Sequence, residues 1–189
     1  MFQPQVKLEF VRRYCPPAHG WQVFVDIDPS EEGRTGGKRT AGEACQRQRQ
    51  MQKDGQEARE ELQRLGVTVG GNRTAWYRKH QLPHINGDRD IVAFNTKKRL
   101  YLIAEVEGKS SGQPEQKLYK SIGQIVMSAS DEVPEGWDRR LILVVYGEAI
   151  ARHLGGASAL KRLGVSAIAL DETKNGDMWL FGEPLPVMS

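Results

Sequence analysis

Apolar positions along this chain fall into short runs separated by polar, glycine-punctuated stretches. Two of the runs stand close together, Ile91 to Phe94 and Leu100 to Val106, with only the basic turn Asn95 to Arg99 between them. Runs this short, rich in β-branched and aromatic residues, read as strands. Leu141 to Tyr146 and Val165 to Leu170 read the same way. Trp21 to Ile27 alternates instead, with Trp21, Val23 and Val25 on one face and Gln22, Phe24 and Asp26 on the other, and predicts an added edge strand. Leu118, Ile122, Ile125 and Val126 recur at helical spacing and predict an amphipathic helix. Glu148 to Leu163 predicts another, containing a glycine pair. The polar stretch Ala41 to Leu65 predicts a helix interrupted near Gly55, whose later half buries Ala58, Leu62 and Leu65. Ser30 to Gly42, rich in glycine and charge, reads as a loop. Strands alternating with helices across glycine-rich turns predict an α/β fold, a central mixed β-sheet flanked by helices. The organisation expected is an N-terminal extension over 1–55 and a core over 56–189, together one compact domain.

Charge placed on these strands adds a chemical reading. Side chains alternate along a strand, so Glu105, Glu107 and Lys109 point to the face that also carries Tyr101 and Ile103. If the two neighbouring runs pair through their short turn, Asp90 comes beside Glu105. Paired carboxylates suit a hard divalent cation such as Mg²⁺, which binds oxygen and keeps several waters beside one or two protein ligands. The blander reading is an exposed edge strand whose lysine blocks edge-to-edge pairing, opened by a solvated Asp88-Arg89-Asp90 turn.

The segments Asp90-Ile91-Val92-Ala93-Phe94 and Ala104-Glu105-Val106-Glu107-Gly108-Lys109 resemble the PD-(D/E)XK nuclease superfamily, in which an Asp precedes one hydrophobic strand and Glu-x-Lys ends the next. Two registers fit that pattern. With Glu105 as the acid, Glu107 holds the lysine's place; with Glu107 as the acid, Glu107-Gly108-Lys109 is a regular Glu-x-Lys. The resemblance covers Gln56 to Asp171 and implies a restriction-endonuclease-like core. It implies Asp90 and Glu105 as metal ligands for Mg²⁺, or Mn²⁺ in its place, with Glu107 or Lys109 acting on the attacking water. It further implies Gln124 on the following helix as a site residue, and on the preceding helix a glutamate that approaches the metal, for which Glu57, Glu60 and Glu61 are the candidates and Glu57 the first, beside the stripe of Ala58, Leu62 and Leu65. The implied activity is hydrolysis of DNA phosphodiesters to 5′-phosphate and 3′-hydroxyl ends, in restriction, resolvase or repair. The alternative is a catalytically inactive nucleic-acid-binding or assembly subunit on the same scaffold.

Composition fits this reading without requiring it. The formal net charge is only +3, yet the basic residues cluster. Lys38, Arg39, Arg73, Arg78, Lys79 and Lys120 are the candidates for phosphate contacts on double-stranded or branched DNA, and a homodimer is expected if both strands are cut. His80 and His84 flank Pro83, which argues against a shared helical metal face and leaves them as loop or DNA-facing residues. Cys15 and Cys45 lack zinc-site spacing, and no apolar signal segment precedes them, so a cytoplasmic protein with free thiols is expected. No apolar run approaches the ~20 residues that cross a bilayer. Glycine-rich stretches around Gly70 and Gly155 lack the P-loop and dinucleotide patterns.

Overall fold

The apolar runs pair into one mixed sheet. Its strands in chain order are β1 (Gln22–Val25), β2 (Thr68–Val69), β3 (Ile91–Asn95), β4 (Leu100–Glu107), β5 (Asp138–Tyr146), β6 (Val165–Leu170) and β7 (Met178–Phe181). The computed structural model describes residues 1–27, 43–83, 87–108 and 114–185. Across the sheet the order is β2-β1-β3-β4-β5-β6-β7. β3 is antiparallel to both its neighbours, β1 and β4; β4, β5 and β6 run parallel, and β7 closes one side antiparallel. The helices are α1 (Gln3–Tyr14), α2 (Glu43–Arg64), α3 (Arg73–Lys79), α4 (Pro114–Met127) and α5 (Glu148–Gly155).

Both faces of the sheet are covered, which is why β3, β4 and β5 are apolar with little interruption. On β4, Leu100, Leu102, Ala104 and Val106 join Val6, Phe10 and Val11 of α1 and Ala58 and Leu62 of α2. Tyr101 and Ile103 turn the other way, toward Trp76 and Tyr77 of α3 and Leu118 and Ile125 of α4. The turn between β3 and β4 is tied by Asn95, whose Oδ1 accepts from the Lys98 backbone N–H at 3.1 Å and whose Nδ2 donates to the His19 carbonyl at 3.1 Å. Arg99 takes the left-handed conformation that lets this turn close, at φ 50°.

Several expectations need correction. β1 is not an edge strand: β2 pairs on its far side, so β1 lies inside the sheet. α2 runs unbroken through Gly55, which is buried. A helical glycine costs about 1 kcal/mol relative to alanine, and packing against α1 offsets it, with Gln5 Nε2 donating to the Asp54 carbonyl at 3.1 Å. The division expected at 55/56 therefore falls within α2. The helix expected over Glu148 to Leu163 stops at Gly155 and gives way to a 3-10 turn, Ser158–Leu163. α1, α3 and β7 arise where the sequence pattern gave no expectation. α1 buries Val6, Lys7, Phe10, Val11 and Tyr14 and ends at Cys15, just before the Pro16-Pro17 pair that cannot continue a helix. No helix among the described residues is long and apolar enough to cross a membrane.

Candidate active site

The register between β3 and β4 sets the site. Ile91 lies opposite Ala104, so the next residue outward on each strand is Asp90 and Glu105. Asp90 is fastened there by its own backbone and side chain. Its carbonyl accepts from the Asp26 N–H at 2.8 Å, extending the β1–β3 ladder, and its Oδ2 accepts from the Val106 N–H at 2.8 Å. Oδ1 pairs with the Lys7 ammonium at 2.8 Å. Gln3 Nε2 reaches Oδ2 at 3.4 Å.

Glu105 follows the alternation expected of it and lies on the face shared with Tyr101 and Ile103, at 2 % exposure. Burial, then the nearby Asp90 carboxylate, pushes its carboxyl up to about 9. Its Oε1 is buried and has no hydrogen-bond partner. An orphaned buried carboxylate oxygen is costly and calls for a partner the protein does not itself supply. Glu107, two residues on, is also buried and accepts from the Ser121 hydroxyl of α4 at 2.7 Å. Burial raises its carboxyl, and the Ser121 hydrogen bond works against that rise.

Asp90 and Glu107 open onto a cleft of about 550 Å³ lined by α1, the end of β1, the start of β3, the end of β4 and α4, with Glu105 buried beside Asp90. α4 contributes Lys117, Lys120, Ser121 and Gln124 to it, a spacing of three and four residues that puts all four on one side of the helix. The cleft therefore offers carboxylates on its floor and ammonium groups along one wall. Among the described residues, no group of three or more His, Cys, Asp or Glu side chains forms a metal cage. Asp90 and Glu105 are a pair, and one or two carboxylates are what Mg²⁺ takes from a protein, the rest being water.

Of the residues singled out from sequence, Asp90, Glu107, Gln124 and Lys120 line the cleft, and Glu105 lies buried beside Asp90. Gln124 Nε2 reaches the Asp88 carbonyl at 3.5 Å. Glu57 does not join them: it is exposed on α2 and faces Lys53 at 3.7 Å. Glu60 and Glu61 are likewise engaged elsewhere, by Gln56 and by Arg12 and Arg64. Arg73 is bound to Asp88 at 2.5 Å, while Arg78 and Lys79 are exposed on the last turn of α3. His80 packs against Trp76 and Phe94 with its imidazole lowered by burial. Lys38, Arg39, His84 and Lys109 lie outside the described residues.

Among the cleft residues that escaped the sequence reading, which include Ser121 of α4, two pack around Asp90. Asp26, at the end of β1, lines the cleft, and burial raises its carboxyl. Lys7 is the other, 1 % exposed, with its ammonium 2.6 Å from the Asp26 carbonyl as well as against Asp90. The signal for it was present: Pro4, Lys7, Val11 and Tyr14 recur at helical spacing, and a lysine inside an otherwise apolar stripe needs a buried partner. No family model matches the chain, and no curated protein or solved structure matches it either.

Proposed function

We propose that this protein is a Mg²⁺-dependent DNA endonuclease of the PD-(D/E)XK class, with Mn²⁺ as an alternative ion, hydrolysing phosphodiesters to 5′-phosphate ends. The observation that carries the reading is the Asp90–Glu105 pair at the mouth of β3 and β4, with a buried Glu105 oxygen that has no partner. The placement follows the superfamily pattern: an Asp before one hydrophobic strand, acids at the end of the antiparallel strand beside it, and α/β architecture around them. The pairing of β3 with β4 favours Glu105 as the partner of Asp90, with Glu107 in the place of the pattern's lysine.

Asp90 and Glu105 would hold the cation, which would supply charge neutralisation of the phosphodiester and acidify a bound water. The chain's own groups account for the rest. Val106 N–H and Lys7 hold the Asp90 carboxylate in one orientation, so little ordering remains to be done when a ligand arrives. Glu107, held by Ser121, is the acceptor available for a proton from the attacking water. Lys117 and Lys120 meet the phosphates that flank the scissile one, and Gln124 stands beside them. Arg78 and Lys79 extend the basic surface. Cutting both strands of a duplex would take two such sites, and hence a homodimer; the protein would act in the cytoplasm.

A second reading, a silent DNA-binding or assembly subunit, draws on one observation. The Lys7 ammonium already neutralises Asp90 from within. The test is cleavage of supercoiled plasmid, linear duplex and branched DNA with Mg²⁺, Mn²⁺ or EDTA, comparing wild type with Asp90→Ala. Metal-dependent cutting that Asp90→Ala abolishes supports the nuclease. DNA binding without cutting on every substrate, together with no heat of Mg²⁺ or Mn²⁺ binding, supports the silent subunit.

A further inference from the structure

We propose that Lys7 contacts the scissile phosphate directly, as the cationic arm of this site; the inference rests on the nuclease reading above. Lysine is rarely buried without a charged partner, and Lys7 is almost fully enclosed by the cleft's floor. Its position is set by a rigid path. A Cβ on Gly108 would collide with the backbone of Gln3, so the glycine after β4 is what lets the first turn of α1 sit directly on the strand end. One turn further along α1, Lys7 then reaches both Asp90 and the Asp26 carbonyl. The helix cannot retreat easily, because Arg13 and Tyr14 at its other end bind the buried Asp177 carboxylate, each at 2.8 Å.

Electrostatics then decides what Lys7 must meet. A divalent cation on Asp90 and Glu105 would place a second positive centre within a few ångströms of a buried ammonium. At ~4 Å, even with an effective dielectric constant near 20, each unit of like charge opposes the other by about 4 kcal/mol. Asp90, shared between them, and an ionised Glu105 offset two of the three positive charges, and a further anionic oxygen shared between the two centres relieves the repulsion that remains; a phosphodiester supplies one. Lys7 thus takes a non-bridging oxygen of the scissile phosphate, where negative charge grows as water attacks. It does this from α1, not from the end of β4, where the described strand carries Glu107.

The test uses Lys7→Met, which keeps the stem, and Lys7→Arg, which keeps the charge. Duplex affinity is measured against salt in Ca²⁺ under conditions where no product forms, and cleavage is measured against Mg²⁺ concentration. Expected for Lys7→Met is a log-log salt slope shallower by about 0.9, the loss of one phosphate contact. Its rate at saturating Mg²⁺ should fall about 10²-fold to 10³-fold, with half-saturation at the same Mg²⁺ concentration or a lower one. Lys7→Arg should recover the slope. An unchanged slope, or a wild-type rate once Mg²⁺ saturates, would show that Lys7 only neutralises Asp90 and would overturn the proposal. If thermal melting shows Lys7→Met unfolded, Lys7→Gln takes its place in both assays and is held to the same expectations. A wild type that cuts no substrate with Mg²⁺ or Mn²⁺ rejects the nuclease reading itself, an outcome distinct from a wild type that cuts and a Lys7→Met that cuts equally well.

Discussion

Replacing Glu105 with glutamine should stabilise the protein at alkaline pH while removing its activity. Glutamine keeps the shape of the side chain but cannot ionise. The folded state pushes the Glu105 carboxyl up to about 9, because burial and then Asp90 oppose its charge. An unfolded glutamate titrates near ~4.3. Between those two values the folded chain holds a proton that the unfolded chain has lost, so the unfolded state binds fewer protons and stability falls as pH rises. The contribution is fully present below the unfolded value and is gone once pH has passed through about 9. Each pH unit in that window changes the balance by at most about 1.4 kcal/mol. From about pH 6 to about pH 8, wild type should therefore lose up to ~2.7 kcal/mol through this one group, and about half of that if water enters the cleft as the carboxylate forms. Urea unfolding of wild type and Glu105→Gln at several pH values reads the difference directly, with equal m-values as the check that only stability has changed. Mg²⁺ should reverse the trend in wild type alone, adding about 1.4 kcal/mol at ten times its dissociation constant. Parallel stability profiles for the two proteins across that range would refute the claim that Glu105 is held protonated in the metal-free site.

Asp90→Ala and Glu105→Ala should each abolish cleavage, with duplex affinity in EDTA within about 3-fold of wild type, since phosphate contacts dominate that affinity; unimpaired cutting by either variant rejects the site. Ser121→Ala removes the hydrogen bond that holds the Glu107 carboxyl down, so the acidic limb of the pH-rate profile should move to higher pH, whereas an unmoved limb would remove Glu107 from the proton path. Gly108→Ala forces Gln3 away from the end of β4 and should cost about 1–3 kcal/mol by thermal or urea unfolding; a neutral result would mean that α1 shifts freely. Asp177→Ala leaves the nearly buried Arg13 with Glu9 as its one carboxylate partner and removes the acceptor of the Tyr14 hydroxyl, and should cost about 1–3 kcal/mol in the same assay.

Much of the scaffold around the site was legible in the residues alone. Ile91 to Phe94 and Leu100 to Val106 read as short strands, and five residues between them leave room for little but an antiparallel turn. Period-two alternation then put Glu105 and Glu107 on the face of Tyr101 and Ile103, and the turn put Asp90 next to Glu105. These are local inferences, since strand register over so short a turn is set by chain geometry. What the sequence could not decide was everything reached through space from far along the chain. Glu57 looked suitable because Ala58 and Leu62 face the core, yet neighbours on a helix point about 100° apart, and packing turned Glu57 to solvent. Gly55 looked like a break, but α1 lay across that point and kept α2 whole. Lys7 and Asp90 are 83 residues apart in sequence, and no periodicity links them. Their contact exists because α1 packs on the α2 side of the sheet with its first turn against Gly108, and that docking is a property of the whole core. Local spacing thus determined the carboxylates, and tertiary packing alone chose the cation that faces them.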